Sequence, residues 1–178
     1  DASLILRATA IEGHPDNVAA SVLGGITIAA GDPPVARRIE PPAGLALVVA
    51  VADERVATRD ARAALADAVP RGDAVWNIQH AALLVHALHT GSLADLPAAL
   101  SDRLHQDARA SLMPSFAALR SRAEELGALG VTLSGAGPSV LVWCAQDAAE
   151  QVADAVRGIV PSAVVHAVRP ETAGLVVD

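Results

Sequence analysis

Val131-Thr132-Leu133-Ser134-Gly135-Ala136-Gly137-Pro138-Ser139-Val140-Leu141-Val142 alternates, breaks at a glycine-rich turn, then resumes as an apolar run. This predicts strands over 131–134 and 139–144 joined at Gly135–Pro138. Downstream, the spacing predicts an amphipathic helix over 148–159, then strands over 162–168 and 174–177. Upstream, Pro114 opens a helix to Leu126 that Gly127 ends, and 93–100 reads as a short helix. The longest helix is expected from Asp73 to about His89, with Gly91 as its C-cap and Val75, Ile78, Ala82, Val85 and Leu88 as its apolar stripe. Thr58 is the expected N-cap of a helix over 59–68. Leu45 to Ala52, a near-continuous apolar run, suits a strand buried on both faces. Strands mixed with helices, and a late strand pair, give an α+β sandwich.

The front of the chain reads as helix 3–12, helix 15–22 ended by Gly24-Gly25, and strands 26–30 and 35–40. Between its helices lies Glu12-Gly13-His14-Pro15-Asp16-Asn17-Val18-Ala19. Proline suits a first helical turn because its missing N–H is not needed there. Asp16 and Asn17 then face unpaired amides and the positive end of the helix dipole, which hold Asp16 ionised. An anionic carboxylate beside an imidazole is a receptor for an ammonium or a hydroxyl. A capped helix start with a surface histidine accounts for the same residues.

Hydrophobic residues make up 52% of the 178, so the chain has material for a core and is not a disordered segment. Aromatics are 2%, with no Tyr, so that core is built from Ala, Val, Leu and Ile. All thirteen basic residues are Arg, so no lysine here serves as base or phosphate ligand. Net charge is −7 and no basic stripe is visible, which argues against a nucleic-acid partner. One cysteine, Cys144, falls in an apolar strand and allows no disulfide framework. No apolar run is long enough to span a bilayer, and a soluble cytoplasmic protein with no membrane partner is expected.

Two segments together, EGHPDNVAASVLGG from Glu12 and SGAGPSVLV from Ser134, resemble the homoserine kinase branch of the GHMP small-molecule kinase superfamily. The first is similar to that branch in particular, the second to the superfamily's third signature motif. The resemblance covers essentially the whole chain. It implies a ferredoxin-like C-terminal domain over 41–178, preceded over 1–40 by the tail of a ribosomal-S5-like domain. The family's GLGSSAA-type phosphate loop and an earlier strand with a substrate-contacting Asn are not in this sequence, which starts at Asp1. The chain is therefore expected to be the back part of such an enzyme, inactive alone, with ATP and Mg2+ bound largely by the front part. Its remnant 1–30 would then expose apolar faces and favour a homodimer or poor solubility.

The implied activity is ATP-dependent phosphorylation of the L-homoserine hydroxyl in threonine biosynthesis. The substrate carboxylate needs a guanidinium fork. Arg62 lies in Ala57-Thr58-Arg59-Asp60-Ala61-Arg62, similar to the family's Ser/Thr-x-x-Ala-Arg pattern. Arg109 lies in Leu104-His105-Gln106-Asp107-Ala108-Arg109-Ala110-Ser111-Leu112-Met113-Pro114, similar to its His-x-x-x-Arg-x-x-Leu-x-Pro segment, with Ala108 where the family has a bulkier residue. These two, with His14 and Asp16, are the expected substrate ligands, converging on one zwitterion. Asn17 is open to two roles, with backbone capping favoured. Gly135 and Gly137 are expected at the transferred phosphate, a tight hairpin being the equal competitor. Ser134 and Ser139 either donate to phosphate or satisfy the turn. No catalytic base and no metal ligand is assigned; His86 and His89 lack a third ligand. The rival reading is a non-catalytic amino-acid-binding or oligomerisation module of the same fold.

Overall fold

The computed structural model describes residues 2–54, 56 and 58–176; the side chains of Thr58 and Arg62 lie outside that description. Two compact units divide the chain, one of residues 2–43 with 170–176, the other Gly44–Arg169. The last described residues belong to the same unit as the first.

In the first unit, α1 (Ala2–Glu12) and α2 (Asp16–Leu23) precede a hairpin of β1 (Ile26–Ala30) and β2 (Val35–Ile39), in register Ile26 to Ile39 and Ala30 to Val35. The strand expected over 174–177 does not form in its described part, 174–176. That segment is instead seated on the end of α2. Leu175 N–H donates to Val22 O at 3.1 Å, and Gly25 N–H to Glu171 O at 2.6 Å. Backbones approach so closely here that a Cβ on Gly174 would sit 2.2 Å from Val22 O, and one on Gly24 2.5 Å from Ala173.

The second unit is built on an antiparallel sheet of β3 (Leu45–Val51), β4 (Gly130–Leu133), β5 (Val140–Ala145) and β6 (Val164–Val168), in the order β4-β5-β3-β6. Chain order strand, helices, strand, strand, helix, strand with this arrangement is the ferredoxin-like pattern. Helices α3 (Thr58–Ala63), α4 (Arg71–Thr90), α5 (Leu96–Ala99), α6 (Gln106–Ala110) and α7 (Pro114–Arg120) fall between β3 and β4, and α8 (Ala149–Ile159) between β5 and β6.

Alternation decides which sheet face is dry. Ala46, Val48 and Ala50 of β3 and Val140, Val142 and Cys144 of β5 are buried, packed with Phe116 and Leu119 of α7 and Val152, Ala153 and Val156 of α8. The intervening Leu47, Val49, Leu141 and Trp143 are only half-buried. β3 is therefore not buried on both faces: an antiparallel sheet covered by helices on one side leaves the other open.

Two helices are shorter than expected, α3 ending at Ala63 and α7 at Arg120, and α6 was not anticipated. At the end of α7 the Ser121 hydroxyl donates back to Ala118 O, a local alternative to continuing the helix. On α4 the expected core stripe faces outward, with Ile78 70% exposed and Val75 and Val85 also exposed; of the five only Leu88 is buried. The buried or half-buried side carries Trp76, Asn77, His80, Leu84 and Ala87. This helix is apolar on two sides, and periodicity alone does not choose between them.

Candidate functional site

In the first unit Pro15 sits at the N-cap of α2, its carbonyl accepting from Ala19 N–H at 2.8 Å. The turn places His14 Nδ1 2.7 Å from Asp16 Oδ1, with both side chains open to solvent. Slight burial works against the Asp16 anion, but the Asn17 backbone N–H and the His14 ring outweigh it and hold the carboxyl below its ordinary range. Imidazole and carboxylate thus lie side by side. Asn17 does not take the favoured capping role: its side chain makes no hydrogen bond among the described residues, and its carbonyl accepts from Ser21 Oγ.

In the second unit Arg109 is 8% exposed, unusual for a guanidinium. Its Nε donates to Ala61 O at 3.1 Å and its Nη1 to Gly135 O at 3.3 Å. These bonds use two of its five N–H groups and fix the plane of the fork. Arg109 is thereby brought to the glycine turn and to the residue preceding Arg62, whose own side chain lies outside the described residues. His14 and Asp16 belong to the first unit, and Arg109, Gly135 and Gly137 to the second.

The turn itself is a tight hairpin. Ser134 N–H donates to Ser139 O at 2.9 Å, and Gly137 N–H to Ser134 O at 3.0 Å. Both glycines have positive φ, 59° at Gly135 and 83° at Gly137. They differ in what surrounds them. A Cβ on Gly137 would meet Met113 Sδ at 2.5 Å, so core packing accounts for this glycine. A Cβ on Gly135 would meet nothing within 4 Å. Only Gly135 leaves its backbone open to a ligand.

Sequence reading passed over the residues that precede Arg109. Asp102, Gln106 and Arg109 are the buried polar or charged side chains among the described residues, and they follow one another at i, i+4 and i+7. Asp102 accepts from the backbone N–H groups of Leu104, His105 and Gln106 and from Asn77 Nδ2, and His105 Nδ1 lies 2.6 Å from its carboxylate. Burial raises the pKa of this carboxyl, but the N–H of His105, its ring and the other donors bring it down to about 2. Asp102 lies four residues ahead of α6, outside the N-cap position that His105 occupies, so no capping signal marked it in the sequence. Gln106 Oε1 accepts from Leu133 N–H at 3.2 Å. Asn77, Asp102, His105, Thr132 and Trp143 line a cavity of about 260 Å³ beside these residues.

Residues 84–161 match the family model described as "GHMP kinases C terminal". This stretch is similar to the C-terminal domain of GHMP kinases. It takes in α6, Arg109, the glycine turn and the strands β4 and β5 on either side of that turn, as the motif over Ser134–Val142 led us to expect. The chain is 45% identical over 163 residues to "Homoserine kinase" of Gloeobacter violaceus, covering 91% of this chain and 54% of the relative. To that of Moorella thermoacetica it is 44% identical over 145 residues, covering 80% and 49%. The crystal structure of homoserine kinase from Cytophaga hutchinsonii superposes with a TM-score of 0.83 at 26% identity, over 88% of this chain and 52% of that one. The chain thus spans about half the length of the curated relatives it matches.

The likeness to kinases implies ATP, whose parts the described residues fit unequally. The open backbone at Gly135 suits approach of a phosphate. Among the described residues no group of three or more His, Cys, Asp or Glu side chains could hold a metal ion, so nothing here is assigned to Mg2+. His86 and His89 are both exposed. Among them, too, no helix is long and apolar enough to cross a membrane.

Proposed function

We propose that the whole protein is a homoserine kinase, transferring the γ-phosphoryl group of ATP to the hydroxyl of L-homoserine to give O-phospho-L-homoserine, a step of threonine biosynthesis. The observation that carries this reading is the buried Arg109 guanidinium, held by Ala61 O and Gly135 O beside an open glycine turn. A fork fixed in that way is suited to a substrate carboxylate next to a transferred phosphate. The likeness to homoserine kinases supplies the substrate.

In the second unit Arg109, joined by Arg62, grips the carboxylate, and Gly135 shapes the phosphate end while Gly137 packs the turn against Met113. In the first unit the His14–Asp16 pair presents an anion suited to an ammonium or a hydroxyl. Phosphoryl transfer has a loose transition state, so positioning and charge stabilisation supply the rate and no strong base is called for. Mg2+ accompanies ATP as neutraliser of phosphate charge. Exposed Leu4, Leu6 and Ile11 on α1 favour self-association, which sedimentation of the purified chain reads; a monomer at all concentrations overturns it.

The test is ADP release by the whole protein. We expect release that depends on L-homoserine and a phosphomonoester product by phosphorus NMR. L-homoserine binding in calorimetry with no ADP release would instead support a non-catalytic binding module. Neither binding nor turnover would overturn both readings.

A further inference from the structure

Polar side chains are costly to bury and are kept inside only with partners. Asp102, Gln106 and Arg109 form one such stripe, and every partner described for the Gln106 and Arg109 side chains is main chain. Asp102 holds the entry to α6 through the N–H groups of Leu104, His105 and Gln106. One residue into the helix, Gln106 reaches the Leu133 N–H. β4 is an outer strand of the sheet, so this amide would otherwise face the unpaired edge. Three residues further on, Arg109 reaches Ala61 O and Gly135 O. Leu133 and Gly135 bracket Ser134, so the stripe grips the same turn from both sides.

We propose that Gln106 is a positioning residue: by taking the Leu133 N–H it fixes α6 against the end of β4 and so sets where the Arg109 guanidinium meets the Gly135 turn. This rests on the reading of Arg109 as the carboxylate fork. α6 has five residues, too few to hold itself rigid. Its register against the sheet therefore depends on side-chain bonds, and Gln106 makes the one that reaches the strand. Losing it lets the helix shift and moves the fork relative to its ligand.

The experiment uses the whole protein with Gln106→Met, which keeps the length and loses the acceptor, and Gln106→Glu, which keeps an acceptor oxygen. The Michaelis constants for L-homoserine and ATP are measured with kcat and the melting temperature, and Gln106→Met is repeated in an Arg109→Ala background. In Gln106→Met we expect the L-homoserine constant to rise about five- to tenfold with that for ATP changed less than about twofold. Gln106→Glu should recover most of the loss. In the Arg109→Ala background Gln106→Met should add nothing, because it acts through that side chain. Equal effects in both backgrounds, a melting shift with unchanged constants, or Glu no better than Met would each overturn the proposal. If the unsubstituted protein shows no L-homoserine-dependent turnover, the functional reading itself fails, and the failure is distinguishable from these.

Discussion

At the scale of single residues, Arg109 and Asp102 divide the work of one buried stripe. Arg109→Ala should raise the L-homoserine Michaelis constant at least about tenfold while leaving that for ATP nearly unchanged, as steady-state kinetics of the whole protein would read. It also leaves Ala61 O and Gly135 O without a charged donor, at a cost of about 3 kcal/mol in denaturant unfolding. Equal losses for both substrates would remove Arg109 from the carboxylate. Asp102 makes an acid-side prediction. Its carboxyl is lowered from 3.8 to about 2 on folding, so the unfolded chain binds its proton more readily. The stabilisation, about 2 kcal/mol, is whole above the unfolded value and is lost as pH falls from there through the folded value. Melting temperatures of Asp102→Ala between pH 5 and about 2 should fall less steeply than those of the unsubstituted chain. Parallel slopes would locate the acid sensitivity elsewhere.

At the scale of elements, the glycine turn between β4 and β5 was legible because alternation and a Gly-Ala-Gly-Pro break need no tertiary knowledge. What the two glycines do was not legible. Gly137 answers to Met113, twenty-four positions away in sequence and wholly buried, and only packing reveals that. Gly137→Ala should therefore cost roughly 2 to 4 kcal/mol through overpacking and a strained φ, and Gly135→Ala about 1 kcal/mol through φ alone. Denaturant midpoints of the two variants decide; equal costs would mean that Met113 yields freely. The same limit explains α4. Its length and its Gly91 cap could be read from sequence, but its buried side could not, because Trp76 and Asn77 face Ser101 and Asp102 through contacts set by the chain's return. α6 went unread because five residues give too little periodicity to see, although they hold Gln106 and Arg109.

At the scale of the molecule, the α+β class could be anticipated from the residues and the ferredoxin-like pattern from the resemblance, while the route of the last residues could not. A strand expected over 174–177 rested on local apolar character. Residues 170–176 are instead held by close backbone contact at Gly24 and Gly174, which carries no periodic signature. A chain ending at Arg169 should keep slow amide exchange in β3 and β5 and lose it at Gly25, whose acceptor is Glu171 O. Unchanged protection at Gly25 would show that the tail is dispensable. A Gly174→Ala chain should show the same pattern more weakly.

That route makes the second unit an insertion within the first. Leu47 pairs with Val168, so the polypeptide enters and leaves the insertion at one corner of its sheet. During synthesis residues 2–43 emerge before the insertion, and their partners at 170–176 follow only after the whole of it has been translated. At ~10 residues per second that is a wait on the order of ten seconds. The earlier-made part is thus the later to mature, and over that interval the nascent chain offers chaperones a half-built surface.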